Sequence, residues 1–286
     1  MTPRDKGPDG DDPFVPVRHG AHARSQEWSA LGEREQRLAL LRATAVKLAA
    51  EPVLSHHSAA TVWDFGILGR WPEVLDQVVV GDANRSTPHV VRHRRREFGE
   101  TVRRDGFLVT GPVETVLDLA GQESFAAGLV IADQALARGL ATRDDLDEAV
   151  TRRHKRRGVR RMRAVVAAAD GGSESVGESL SRARMLEARL PVPTLQQEFR
   201  DDDGFIGRCD FYWRRQRVVG EFDGRIKYGR KFEGQGSAED RLWQEKLRED
   251  RLRALGLRVV RWVWDDALGG EPLVRALGRA GIVPQR

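Results

Sequence analysis

The strongest constraint on this chain lies between Phe205 and Gly224, where acids are set into stretches that read as core β-strand. Aromatic residues alternate in Asp210-Phe211-Tyr212-Trp213, and apolar and acidic residues alternate in Val218-Val219-Gly220-Glu221-Phe222-Asp223. Residues two apart on a strand point the same way. Val219, Glu221 and Asp223 therefore share one face, while Val218 and Phe222 belong to a core on the other. Arg214-Arg215-Gln216 supplies a turn, so a hairpin brings Asp210 beside Glu221. Carboxylates held side by side repel, at a cost in free energy, unless a cation or a proton lies between them. A divalent metal is the usual remedy, and magnesium takes a few carboxylate oxygens while keeping several waters.

The elements around this hairpin predict the rest of the architecture. A helix spans about Ser175 to Arg189 and carries Glu178 to one side of the hairpin. Strands are expected at Leu195 to Arg200, Phe205 to Trp213 and Arg217 to Asp223, followed by a charged helix from Ala238 to Leu255 that Gly256 ends. A strand from Arg258 to Trp264 and a short helix complete an α-β-β-β-α-β-α order. That order suits an α/β mixed sheet with helices on both faces. In the charged helix, Trp243 and Leu247 are four apart and mark a buried stripe. Lys246 and Asp250 share a different face, from which Lys246 points at the carboxylates. An ammonium there would orient a water or stabilise charge on a phosphoryl group. The competing readings are a solvated strand face for the acids, a surface position for Glu178 and Lys227, and a plain ion pair for Lys246 and Asp250. Arg261, between Val260 and Trp262, is a candidate to anchor an acid of the site.

Glu178, Asp210 and Glu221-Phe222-Asp223-Gly224 resemble the PD-(D/E)XK nuclease superfamily, and most of all the very-short-patch-repair endonucleases. Asp210-Phe211-Tyr212-Trp213, Gly220 to Tyr228, Glu245 to Asp250 and Val259 to Trp262 carry the likeness, which covers roughly Gly171 to Leu268. It implies a restriction-endonuclease-like fold and cleavage of DNA phosphodiesters with Mg²⁺ (or Mn²⁺). Asp210 and Glu221 would hold the metal with Asp223 assisting, and Lys227 or Lys246 would act on the phosphate or the water. Two positions depart from the pattern: Asp223 stands where the superfamily has a lysine, and Cys209 where it has a proline.

The front half reads as a smaller α+β domain. Leu38, Leu41, Ala45 and Leu48 make an apolar stripe on a helix within Arg24 to Leu48. Ser55 is a candidate N-cap for a short helix carrying His56 and His57, whose expected role is capping and packing. Strands at Gln77 to Val80, His89 to His93 and Phe107 to Thr110 suggest a small antiparallel sheet. Helices follow at Pro112 to Ala120 and Phe125 to Arg138, and Thr142 with Asp145 opens another through a capping-box pattern. Val53 to Ala60, Val109 to Ala120 and Ala132-Asp133 resemble the C-terminal domain of AbiEi-type antitoxins. That resemblance implies a toxin–antitoxin setting and a cognate toxin protein as partner. Gly171-Gly172-Ser173 breaks the pattern, giving a tail over 1–23, this domain over 24–170 and the nuclease-like domain over 171–286.

Charge adds a binding expectation. The formal net charge is +5 and the pI about 9.8, with the basic residues bunched. Eight of the twelve residues from Arg152 to Arg163 are Lys or Arg and none is acidic. Arg152, Arg153, Lys155, Arg156, Arg157, Arg160 and Arg161 are thus expected to contact nucleic-acid phosphates, as is the run from His93 to Arg96. The single cysteine, Cys209, permits no internal disulfide and fits a reducing cytosol. The longest apolar candidate, Gly121 to Leu140, is broken by Ser, Asp, Gln and Arg, so no membrane span is expected. Two functions follow: a Mg²⁺-dependent DNA endonuclease, or a non-catalytic antitoxin-like regulator that binds DNA or protein on a degenerate nuclease fold.

Overall fold

The computed structural model describes residues 13–18, 20–81, 85–96, 99–153, 156–224 and 238–285, with side chains in the last segment from Trp243 onward. Contacts divide the chain into Met1–Glu123 with Leu140–Val166, and Ser124–Gly139 with Ala167–Arg286. This division does not follow the chain cleanly at 170/171. The helix Phe125–Ala137 groups with the C-terminal unit, where its Asp133 accepts a 2.6 Å bond from Arg182.

The first unit opens with an antiparallel hairpin, β1 (Phe14–Arg18) and β2 (Ala21–Arg24), over part of the stretch that composition assigned to a tail. The helix expected over Arg24 to Leu48 is two helices, α1 (Ser25–Ala30) and α2 (Glu33–Ala45). Gly32 stands at the N-cap of α2, and Leu38 and Leu41 carry the stripe into the core. Then come β3 (Val53–Leu54), α3 (His56–Val62), β4 (Leu75–Val80), β5 (Val90–Arg95), β6 (Thr101–Arg104) and β7 (Phe107–Thr110). Their sheet has the order β5-β4-β3-β7-β6. It is mixed and not antiparallel: β4 with β5 and β3 with β7 run parallel. The helices α4 (Pro112–Gln122), α5 (Phe125–Ala137, of the other unit), α6 (Arg143–Arg152) and α7 (Val159–Ala168) follow. Thr142 and Asp145 form the full reciprocal capping box at the start of α6. Leu54, Leu75, Val109, Val116 and Leu117 are fully buried and form the centre of this core.

The second unit contains α8 (Val176–Glu187), β8 (Thr194–Asp201), β9 (Gly204–Trp213), β10 (Val218–Asp223), α9 (Ala238–Ala254), β11 (Arg258–Val263), α10 (Trp264–Gly269) and α11 (Glu271–Arg279). The sheet order is β11-β10-β9-β8, with β10 and β11 parallel and the other pairs antiparallel. This is the expected mixed sheet. On one face Leu252 of α9 packs with Ile206, Cys209, Val219 and Leu257. On the other, Phe211 stacks on Trp213 and meets Trp262 at a tilt, and the Trp262 indole donates to Ser181 of α8 at 2.7 Å. Burying a side chain as large as Phe211 contributes about 2–3 kcal/mol. Gly220 makes this packing possible, because a Cβ there would lie 2.6 Å from the Trp262 ring and 3.1 Å from Trp213. Gly177 does the same for α8, since a Cβ would meet the Phe222 ring at 2.0 Å. The close approach of α8 to β10 brings Glu178 to the hairpin.

Candidate functional site

The sequence-predicted acids meet where two strands part. The β9–β10 pairing runs through Val218↔Trp213, Val219↔Tyr212 and Gly220↔Phe211 and then stops, while β10 stays paired with β11 out to Asp223. Continuing the register would set Asp210 opposite Glu221. Instead the Phe222 N–H, freed from the ladder, donates to Asp210 Oδ2 at 2.8 Å. Asp210 Oδ1 has no hydrogen-bond partner among the described residues. Burial pushes the Asp210 carboxyl up to about 6; the Phe222 N–H works against this, and the charges of Glu178 and Glu221 add to it. Glu178 and Glu221 thus place negative charge beside Asp210, which the nearby Arg248 charge partly offsets.

Glu178 is buried at the N-terminus of α8. Its carboxylate accepts from the Ser175 hydroxyl at 2.7 Å, the Glu174 N–H at 3.0 Å and the Gln196 amide at 2.9 Å. Burial nevertheless raises its pKa. Gln196 has φ +52 inside β8, a strained value for a side chain of its size. The two strand residues flanking it pair with β9 and Gln196 does not. Sequence reasoning passed over Gln196, and nothing in its local pattern marked it.

Glu221 is held by arginines. Arg248 donates to its Oε1 and Arg261 to its Oε2, the latter at 2.9 Å. Burial works against the Glu221 charge, but Arg248 and Arg261 keep its pKa below the usual range. Burial also opposes the Arg248 charge, and Glu245 and Glu221 more than offset it. Arg261 further pairs with Glu245 and, at 2.8 Å, with Glu249. The expected acid-anchoring role for Arg261 is thus present.

Lys246 is not the cation at this site. It is exposed, with its Nζ 5.7 Å from the centre of the Trp243 ring. Trp243 and Leu247 are also exposed, at 56% and 40%, so the expected buried stripe is corrected. The sheet-facing side of α9 is marked by Leu252, and Arg248 lies one turn before it. Two residues on a helix turn through about 200°, so Lys246 points away from the side Arg248 occupies. Asp223 ends β10 opposite Val263. Lys227 lies outside the described residues. The Cys209 thiol, 3.9 Å from Arg248, is pushed up to about 12 by burial and by Glu221, which removes it as a nucleophile.

The basic run does not form one helix. Gly158, at φ +81, interrupts it between α6 and α7, and a Cβ there would lie 2.3 Å from the Gly121 carbonyl oxygen. Its members have separate tasks. Arg152 pairs with Glu148 on the surface, and Arg153 is buried against Glu114 and Asp118. Arg161 donates to the carbonyls of Gln122 and Glu123. Arg156, Arg157 and Arg160 are exposed, and Lys155 lies outside the described residues. Arg95 joins Arg153 on Glu114 and Asp118. His56 stacks on His93 with ring centres 3.5 Å apart, and His93 meets Asp76 at 2.8 Å. The packing role expected for His56 is what the structure gives it.

Among the described residues no group of three or more His, Cys, Asp or Glu side chains has the arrangement of a metal cage. None of their helices is long and apolar enough to cross a membrane. No family model matches the chain. No solved structure matches it either. Among curated proteins, the uncharacterized protein MT2308 of Mycobacterium tuberculosis (strain CDC 1551 / Oshkosh) is 32% identical over 183 residues, covering 64% of each chain. The uncharacterized protein Rv2248 of strain ATCC 25618 / H37Rv aligns with the same identity and coverage. The chain thus spans about two thirds of the length of these relatives, just under that mark at 64%.

Proposed function

We propose that the C-terminal unit hydrolyses phosphodiester bonds in DNA, with Mg²⁺ or Mn²⁺ as cofactor. The observation that carries this reading is the gathering of Asp210, Glu221 and Glu178 at the point where β9 and β10 part, with Arg248 alongside. The carboxylate chemistry fits a hard divalent cation: Asp210 keeps an oxygen free of partners among the described residues, and its pKa is raised first by burial and then by the charges of Glu178 and Glu221, which a cation would offset. Asp210 and Glu221 would hold the ion, and when bound it would supply an activated water and neutralise charge at phosphorus. Arg261 orients Glu221. Arg248 takes the part the resemblance gave to a lysine, as a fixed cation that stabilises charge on the phosphoryl oxygens. Glu178, seated by three hydrogen bonds, adds its negative charge beside Asp210. The buried, unpaired Cys209 supports a reducing cytosolic setting.

One observation favours a second reading. Both Glu221 oxygens are already held by arginines, and a chain that only binds DNA or a cognate toxin would have no need to release them. Supercoiled DNA incubated with the protein and Mg²⁺ or Mn²⁺ separates the two. The first reading predicts nicking that Asp210→Ala/Glu221→Ala abolishes. DNA left intact with either metal, at protein concentrations that bind it, favours the second.

A further inference from the structure

Two basic runs that lie far apart in sequence line a single cavity of about 840 Å³ in the N-terminal unit. The run on β5 contributes His93, Arg94 and Arg95, and the turn between α6 and α7 contributes Arg153, Arg156 and Arg157. The volume lies within the range of sites for small organic ligands, roughly 300–1,000 Å³. Among the described residues, seven of those lining it are arginines, against one carboxylate, Asp118.

Two described acids are committed to two of those arginines. Glu114 and Asp118 each bond both Arg95 and Arg153, which are largely buried in the cavity wall. That network fixes the wall, as a structural role requires. It does not account for Arg156 and Arg157, which are exposed at the same cavity and have no ion-pair partner among the described residues. Loss of hydration lowers the Arg156 pKa, and the charges of Arg153 and Arg95 lower it further. Cations gathered in this way repel one another unless an anion joins them.

The cavity is also pre-formed. Gly158 closes backbone-to-backbone on Gly121. Arg161 ties the start of α7 to the end of α4 through the Gln122 carbonyl at 2.9 Å and the Glu123 carbonyl at 2.5 Å. The stacked pair of His56 and His93 also lines the cavity. A terminal phosphate offers such a cluster of guanidiniums three oxygens and up to two negative charges. A diester in mid-strand offers two oxygens and one charge. Guanidinium forks suit the three terminal oxygens of a phosphate monoester.

We propose that this cavity binds a phosphate monoester, either the terminal phosphate of a nucleic-acid strand or a free mononucleotide, through Arg156 and Arg157. Arg95 and Arg153, held by Glu114 and Asp118, back them with a fixed positive wall. The inference rests on the reading of the basic runs as phosphate contacts and is independent of hydrolysis by the C-terminal unit.

The test uses the wild-type full chain in EDTA, so that no cleavage intrudes and a failure of the nuclease reading leaves it unaffected. Fluorescence anisotropy compares a labelled single-stranded oligonucleotide bearing a 5′-phosphate with the same strand bearing a 5′-hydroxyl. AMP and adenosine serve as competitors. The expected result is binding about tenfold tighter with the terminal phosphate, the scale of one charge-assisted contact, with that gain lost in Arg156→Ala/Arg157→Ala and partly kept in Arg156→Lys/Arg157→Lys. Competition by AMP but not adenosine would support the mononucleotide source. A phosphate-dependent gain that AMP does not compete away would support the strand terminus. Equal affinity for the two strands together with no competition by AMP would overturn the proposal, whether or not the variants fold. An undiminished gain in a folded Arg156→Ala/Arg157→Ala chain would overturn it as well.

Discussion

The two units each gather arginine and carboxylate, but in opposite proportion. In the C-terminal unit Arg248 and Arg261 are shared among Glu221, Glu245 and Glu249, and Asp210 is left with a carboxyl that burial and its neighbours push up to about 6. In the N-terminal unit Glu114 and Asp118 are shared between Arg95 and Arg153, and Arg156 is left with a lowered pKa. One cluster has carboxylate to spare and the other has guanidinium to spare. The surplus in each is what the two proposals rest on: a cation for the first, an anion for the second.

The largest expected effect comes from removing an acid from the arginine-rich side. Asp118 is buried beneath Arg95 and Arg153, so Asp118→Ala strands two guanidiniums on Glu114 alone. Breaking a buried pair of this kind costs about 3–5 kcal/mol. Urea unfolding should show a lowered midpoint with an unchanged slope.

Next in size is a pH effect on the carboxylate-rich side. The folded pKa of Asp210 lies above its unfolded value, so the folded state binds the proton more tightly. Its contribution to stability is fully present below the ordinary carboxylate pKa and is lost as pH rises through about 6. Asp210→Asn should remove a loss of order 2 kcal/mol between pH 4 and 7, read from unfolding curves across that range. His56 gives an effect of opposite sense. Burial, with His93 against it, holds its pKa well below 6.5, so its contribution is present above 6.5 and is lost as pH falls below that value. His56→Gln should flatten the fall in stability between pH 7 and 5. The smallest effect is at Arg152, whose pairing with Glu148 is an exposed i,i+4 contact; Arg152→Ala should shift stability by about 0.5 kcal/mol or less.

These contrasts also show what the sequence made legible. Alternation in Val218 to Asp223 and the aromatics after Asp210 gave the hairpin and the meeting of Asp210 with Glu221. Thr142 and Asp145 announced their helix start through spacing alone. The phase of α9 was misread because Trp243 and Leu247 are the more conspicuous apolar pair, whereas the sheet is covered by Leu252, with Arg248 one turn ahead of it. The β1–β2 hairpin was hidden by its brevity, by Pro16 and by the polar residues before it. The arginine cavity had no single sequence signal. It needed β5 to pair parallel with β4 and Gly158 to turn the chain, both of which depend on contacts between distant segments.

The claim that the two clusters have separate tasks is tested most directly by steady-state cleavage of linear 5′-phosphorylated DNA with Mn²⁺, comparing wild type, Asp210→Ala/Glu221→Ala and Arg156→Ala/Arg157→Ala. The account predicts that the carboxylate variant loses kcat while still binding DNA as wild type does, and that the arginine variant keeps kcat and raises KM. Wild-type activity no greater than that of the carboxylate variant, or a loss of kcat in both variants alike, would contradict it.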